Sequence, residues 1–276
     1  FFTSVFCWLA SLASAEPIET ELPGVTTEVL ELRQQSGILR LAIRLTNGTE
    51  KEAKDSGALK LADVVLVDAR TKKKHFPLRA ADQHYLGGPV SDWNDGGRWF
   101  AHIPARSEAI LWTYYEPLPV GSVVSIQAPK MFPFENVQVT EGPVPWHSNN
   151  EAPSELNGVK LTLVSAERAE QRLTIRLKLA ATKPGRSAPI LYRDVFLFDS
   201  QSKRKYPILK DAEGKFLAQP MTDSNDGGRY WVSGLKPGGI ALMSLVFTAP
   251  PDETLAGDLL IPSFTPLEGV QLAGKG

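Results

Sequence analysis

From Ile38 to Leu45 apolar and polar side chains alternate. Leu39, Leu41, Ile43 and Leu45 fall on one face of an extended chain, and Arg40 and Arg44 on the other. The same period of two runs through Leu173-Thr174-Ile175-Arg176-Leu177-Lys178-Leu179. This period predicts strands with one face on a core and the other toward water. Residues 61–67 and 195–198 are denser apolar runs, as expected of central strands. Segments 109–115, 123–128, 241–247 and 259–261 supply later strands, with Pro and Gly marking the joins. Helical periodicity is nearly absent. Residues 46–60 are polar and charged, and are expected as a mobile surface loop between two strands.

The pattern occurs twice. Asp92-Trp93-Asn94-Asp95-Gly96-Gly97-Arg98-Trp99-Phe100 returns 131 residues later as Asp223-Ser224-Asn225-Asp226-Gly227-Gly228-Arg229-Tyr230-Trp231. Asp63-Val64-Val65-Leu66-Val67-Asp68 answers Asp194-Val195-Phe196-Leu197-Phe198-Asp199, and Pro133-Phe134-Glu135-Asn136-Val137 answers Pro266-Leu267-Glu268-Gly269-Val270. An offset this steady predicts an internal duplication in which both copies share one fold. Short strands separated by turn clusters, without strand–helix alternation, predict an all-β protein of two tandem antiparallel immunoglobulin-like β-sandwich domains. A jelly roll or small barrel is the other architecture of this class. The expected boundaries are repeat one at 16–142, a Pro-rich linker at 143–157 and repeat two at 158–276.

Composition narrows the class. With 276 residues, 42% hydrophobic and 22% charged, the chain has the material for two ordinary globular cores. A net charge of -1 argues against bulk nucleic-acid binding. Residues 1–15 are uncharged and apolar and end in Ala13-Ser14-Ala15, which reads as a signal peptide cut after Ala15. Cys7, the one cysteine, would leave with it, so the mature protein would lack a disulfide, thiolate ligand or cysteine nucleophile. Export of a cysteine-free product implies a bacterial periplasmic, cell-surface or secreted location. No later apolar run is long enough to span a membrane in the mature chain.

Three constellations carry candidate chemistry. Asp92, Asn94, Asp95, Gly96, Gly97 and Arg98, with Asp223, Asn225, Asp226, Gly227, Gly228 and Arg229, read as structural turns, because consecutive residues tolerant of positive φ suit a tight reversal. Their carboxylates also suggest calcium, but the EF-hand spacing fails at Gly96 and Gly227. No metal or cofactor is therefore expected. Lys72, Lys73 and Lys74, answered by Lys203, Arg204 and Lys205, read as hairpins whose cations guard an edge strand, with anion binding as the functional alternative. Trp93, Tyr85 and Trp146 are the aromatic candidates for binding, Trp93 because it sits in a polar turn. His75, His84, His102 and His147 all precede the second copy, and no Gly-x-Ser-x-Gly or His-Glu-x-x-His motif accompanies them, so catalysis is not expected.

The paired Asp-Val-x-Leu-x-Asp strands, the Lys-aromatic-Pro segments and the Asn-Asp-Gly-Gly-Arg turns resemble tandem immunoglobulin-like modules of bacterial exported and envelope proteins. That resemblance covers residues 25–276 and implies adhesion, spacing or scaffolding. The expectation is a non-enzymatic exported module that binds a protein or glycan of the cell envelope through its loops. A structural spacer or envelope assembly subunit is the alternative, and an envelope hydrolase the remote one.

Overall fold

The two alternating segments become central strands of two sheets, antiparallel throughout except where Thr140–Glu141 runs parallel to Val25–Gln35 in the first. The structure, a computed structural model, describes residues 17–89, 97–142, 150–153, 158–182, 190–220, 228–232 and 235–272. The expected signal segment 1–15 and most of the expected linker lie outside the described residues. In the N-terminal half the strands are β1 (Ile18–Glu19), β2 (Val25–Gln35), β3 (Ile38–Asn47), β4 (Ala53–Lys60), β5 (Val65–Asp68), β6 (Lys74–His75), β7 (Gly87–Gly88), β8 (Arg98–Ile103), β9 (Ser107–Tyr115), β10 (Val123–Gln127), β11 (Phe134–Gln138) and β12 (Thr140–Glu141). The C-terminal half contains β13 (Glu151–Pro153), β14 (Val159–Ala169), β15 (Arg172–Ala181), β16 (Ile190–Leu191), β17 (Phe196–Asp199), β18 (Arg204–Pro207), β19 (Ala218–Gln219), β20 (Arg229–Tyr230), β21 (Ile240–Thr248), β22 (Ala256–Leu260) and β23 (Leu267–Gln271). Among the described residues there is no α-helix, only 3-10 turns at Leu61–Asp63 and Tyr192–Asp194.

Strand order repeats from half to half. β1-β2-β3-β9-β7 answers β13-β14-β15-β21-β19, β11-β10-β5-β6 answers β23-β22-β17-β18, and β4-β8 answers β16-β20. Registers match as well, with Leu39 opposite Tyr115 where Leu173 is opposite Phe247. A bulge interrupts β2 after Val29 and β14 after Leu163. Lys72 and Lys203 occupy the left-handed region at φ 59° and 56° in equivalent hairpins. In both hairpins an aspartate closes the turn: Asp68 accepts from the Thr71 hydroxyl at 2.8 Å and Asp199 from the Ser202 hydroxyl at 2.6 Å.

Three segments differ from their sequence pattern. Residues 53–60, expected within a loop, form β4 because β8 offers it an antiparallel partner from Ala53–Ile103 to Lys60–Arg98. Pairing of this kind overrides a polar composition. The apolar run at 61–67 opens with a 3-10 turn before becoming β5. Glu151–Pro153, within the stretch expected as linker, pairs with β14 as β1 pairs with β2.

Each half closes on its own apolar interior. Leu39, Leu41, Ile43 and Leu45 meet Leu66, Val124, Ile126 and Phe134 from the facing sheet. In the C-terminal half Leu173, Ile175, Leu177 and Leu179 meet Leu197, Leu259, Leu267 and Val270. A third apolar cluster, described below, lies between the halves. Within the first core β7 runs so close to β9 that a Cβ on Gly87 would meet the Trp112 carbonyl oxygen at 2.8 Å and Leu61 Cδ1 at 2.9 Å. Backbone cannot yield as a side-chain tip can, so Gly87→Ala is expected to cost about 1–3 kcal/mol. Thermal melting of the variant checks this; an unshifted midpoint would mean that β7 simply moves outward.

Candidate functional site at the contact between the halves

The outer face of β3 was expected to meet water, yet together with that of β2 it carries the most deeply buried charges. Arg33 and Arg40 are cross-strand partners, and Glu31 lies opposite Ala42 next to them. From the C-terminal half, β23 delivers Glu268 onto this face. Glu31 bridges Arg33 Nε and Arg40 Nε at 3.0 Å each. Glu268 bridges the same two guanidiniums through Arg33 NH2 and Arg40 NH1. The four groups form a closed, charge-neutral square whose side chains are between 1% and 5% exposed.

Burial pulls the Arg40 pKa down, but the Glu31 and Glu268 carboxylates outweigh it and leave the group above its ordinary value. Burial likewise pushes Glu268 up, and Arg40 and Arg33 more than reverse that. Arg40 and Glu268 therefore stay ionised, as a buried charge can only when its partners compensate for lost hydration. Arg33 also donates to Gln35 Oε1 and, at 3.3 Å, to the Gly142 carbonyl.

Beside the square, Tyr114 Oη donates to Asp258 Oδ2 at 3.1 Å and the Gly269 amide donates to Oδ1 at 2.9 Å. Asp258 faces Glu268, and Arg40 offsets that repulsion only in part. The Asp258 pKa is pushed up to about 7, first by burial and then by the Glu268 carboxylate. Around these polar groups Ile38, Ala42, Leu78, Leu86, Ile110, Trp112 and Tyr114 pack against Phe198 and Leu260. Tyr114 stacks on Phe198 with ring centroids 6.2 Å apart.

At the rim, the basic hairpin of the C-terminal half reaches across. Lys203 pairs with Glu116. Lys205 lies 2.9 Å from Asp82 Oδ2, with its ammonium 4.2 Å above the Phe196 ring. Ser200 Oγ donates to the Ser36 carbonyl at 2.7 Å. Two of the three cations of the hairpin expected to guard an edge strand, or alternatively to bind an anion, thus join the halves, and Arg204 is exposed. Lys72, Lys73 and Lys74 are exposed on the equivalent N-terminal hairpin, at the edge strand β6.

The remaining candidates are scattered. Tyr85 is half-buried, with Arg79 4.0 Å over its ring, a pairing repeated by Lys210 at 4.5 Å from the Phe216 ring. Trp93, Trp146, Asp92, Asn94, Asp95, Gly96, Asp223, Asn225, Asp226 and Gly227 lie outside the described residues. Directly after these segments, the Gly97 carbonyl accepts from the Leu61 amide at 2.7 Å and the Gly228 carbonyl from the Tyr192 amide at 2.8 Å. Arg98 and Arg229 head the equivalent strands β8 and β20.

His84 approaches Asp82 at 3.3 Å and His102 approaches Glu52 at 3.5 Å, both imidazoles on exposed surface. Among the described residues no group of three or more His, Cys, Asp or Glu side chains is placed to hold a metal ion. No described helix is long and apolar enough to cross a membrane.

Sequence reasoning missed Glu31, Arg33, Arg40, Asp258 and Glu268. One signal was available: along β9, Ile110, Trp112 and Tyr114 make the face opposite the core apolar too, which a strand open to water does not need. The equivalent positions of β21 read Leu242, Ser244 and Val246. No known protein family matches this chain, and no curated protein is a significant match to it.

Proposed function

We propose that the chain is a non-enzymatic, exported scaffold module, made of two immunoglobulin-like β-sandwiches of common descent docked as one rigid body. Repeated strand order, matched bulges and matched registers support the duplication. Export rests on the apolar 1–15 segment and its small-residue end. The reading is nearer to the assembly-subunit expectation than to loop-based capture of an envelope protein or glycan, because Lys203 and Lys205 are engaged between the halves.

One observation carries it: the buried square of Glu31, Arg33, Arg40 and Glu268. An apolar contact tolerates sliding, since one greasy position resembles the next. Displacing this square by a residue leaves buried charges unpaired, at a cost of several kcal/mol. The two halves are therefore held at one angle, as suits a spacer or building block more than a flexible tether.

Small-angle X-ray scattering of the mature chain tests the reading. Wild type is expected to scatter as one compact particle of fixed dimensions from low to moderate salt. Glu268→Ala is expected to give a larger, heterogeneous particle as the halves part. Wild-type data that demand a broad ensemble of separated halves would overturn it.

A further inference from the structure

The contact within the chain joins unlike surfaces. The N-terminal half contributes the outer face of β2-β3-β9, whereas the C-terminal half contributes the outer face of β17-β22-β23. Because the two halves repeat the same strand order, one surface of each kind is left over: β14-β15-β21 on the C-terminal half and β5-β10-β11 on the N-terminal half. A contact between unlike surfaces, once repeated, links molecules in series.

We infer that a second copy of this chain docks its β5-β10-β11 face onto β14-β15-β21 of the first, repeating between chains the contact that already joins the halves. This rests on the reading of the halves as related, docked modules.

Residues at the equivalent positions support it. Ile110 and Leu30 pack in the apolar contact between the halves, and the matching Leu242 and Val164 are 70% and 59% exposed. Ile240 beside them is 57% exposed. A cluster of large aliphatic side chains on an otherwise polar sheet is what a covered face presents when its cover is absent. On the opposite surface, Glu135 stands where Glu268 stands and is exposed. Lys74 stands where Lys205 stands, each paired with the matching residue of the central strand, Val67 or Phe198.

Two charge pairs carry over to the inferred contact, while the Lys203–Glu116 pair does not, since Thr248 stands in the place of Glu116. Lys205 binds Asp82, and the residue equivalent to Asp82 is the exposed Glu213, so Lys74 of a second copy would meet a carboxylate in the same place. Glu135 would meet Arg176, which replaces Ala42 in register and already holds Glu167. The square itself is not reproduced: Thr174 and Glu167 occupy the places of Arg40 and Arg33. Contact between chains is therefore more polar and weaker than contact between halves, and association should be reversible and concentration-dependent.

Sedimentation of the mature chain over a wide concentration range provides the test, with Leu242→Asp and Lys74→Glu as variants. Both changes lie on exposed surface, and melting curves confirm that each variant folds. Wild type is expected to grow beyond a monomer with concentration, while each variant alone stays monomeric. Mixed in equal amounts, the two variants should form a capped heterodimer, because Lys74→Glu retains the β14-β15-β21 face and Leu242→Asp retains the β5-β10-β11 face. Combining Lys74→Glu with Glu213→Lys should restore growth.

A wild type that stays monomeric throughout overturns the inference, as does an oligomer indifferent to both substitutions. A dimer that Leu242→Asp abolishes and the mixture fails to rescue would instead join two like faces, and would also overturn it. Scattering from the monomer separates this failure from that of the rigid-module reading: halves docked without self-association remove only the inference drawn here.

Discussion

Glu268→Ala is expected to destabilise the protein by about 3–5 kcal/mol, the range for removing one partner of a buried ion pair. The cost arises less from lost attraction than from what remains. Arg33 and Arg40, almost fully buried, would face each other with only Glu31 between them. Two guanidiniums sharing one carboxylate away from water repel, and neither can neutralise itself by losing a proton. The relief available is to open the contact and hydrate.

Calorimetry should therefore show two changes in Glu268→Ala: a lower first melting temperature, and separation of one cooperative transition into two as each half unfolds on its own core. Glu135→Ala, at the equivalent but exposed position, serves as the control and should change stability by less than about 0.5 kcal/mol. If Glu268→Ala also costs less than about 1 kcal/mol, water reaches the square and the halves are not locked.

Asp258→Asn is expected to have the opposite sign, and only at higher pH. Asp258 in the folded protein titrates near 7, against 3.8 as its ordinary value, because burial and Glu268 both oppose its charge. A raised carboxyl pKa means that the folded state holds the proton more tightly than the unfolded one. Its contribution is fully present below the unfolded value and is lost as pH rises through about 7. Above that, a charged Asp258 sits beside Glu268, with the Tyr114 hydroxyl and the Gly269 amide donating to it.

Asparagine keeps the shape and an acceptor without the charge. The variant should thus exceed wild type in stability at pH 8, by on the order of a few kcal/mol, and match or fall below it at pH 5. His75, whose pKa is lowered by burial and then by Lys73, contributes a slope of the other sign near neutrality. Denaturant titrations are therefore compared as variant minus wild type at each pH. A difference that does not change between pH 5 and pH 8 would show that Asp258 does not titrate in this range. Glu268, with its pKa lowered, acts further toward acid, where its stabilisation is lost as pH falls.

How much of this was legible along the chain differs from element to element. The period-two runs at 39–45 and 173–179 became β3 and β15 because side-chain alternation is a local property of extended backbone. β4 was not legible, since its polar residues become a strand only when β8 lies alongside. The basic hairpins were visible as Lys72–Lys74 and Lys203–Lys205, but not that Glu116 and Asp82 would take up two of the cations. Arg40 reads as a solvent-facing residue in any alternating strand, and nothing nearby in sequence announces the Glu268 that covers it.

The amino-acid pattern by itself determined the all-β character and which side chains of the alternating runs turn inward, because spacing between neighbours decides which side of a strand a residue occupies. Only the tertiary structure decided which outer faces are covered. That choice depends on one half meeting the other, more than two hundred residues apart for Arg33, Arg40 and Glu268. Burial of a charge is a property of everything packed around it, so Arg40, which reads as a surface residue along its own strand, becomes one of the most deeply buried charges.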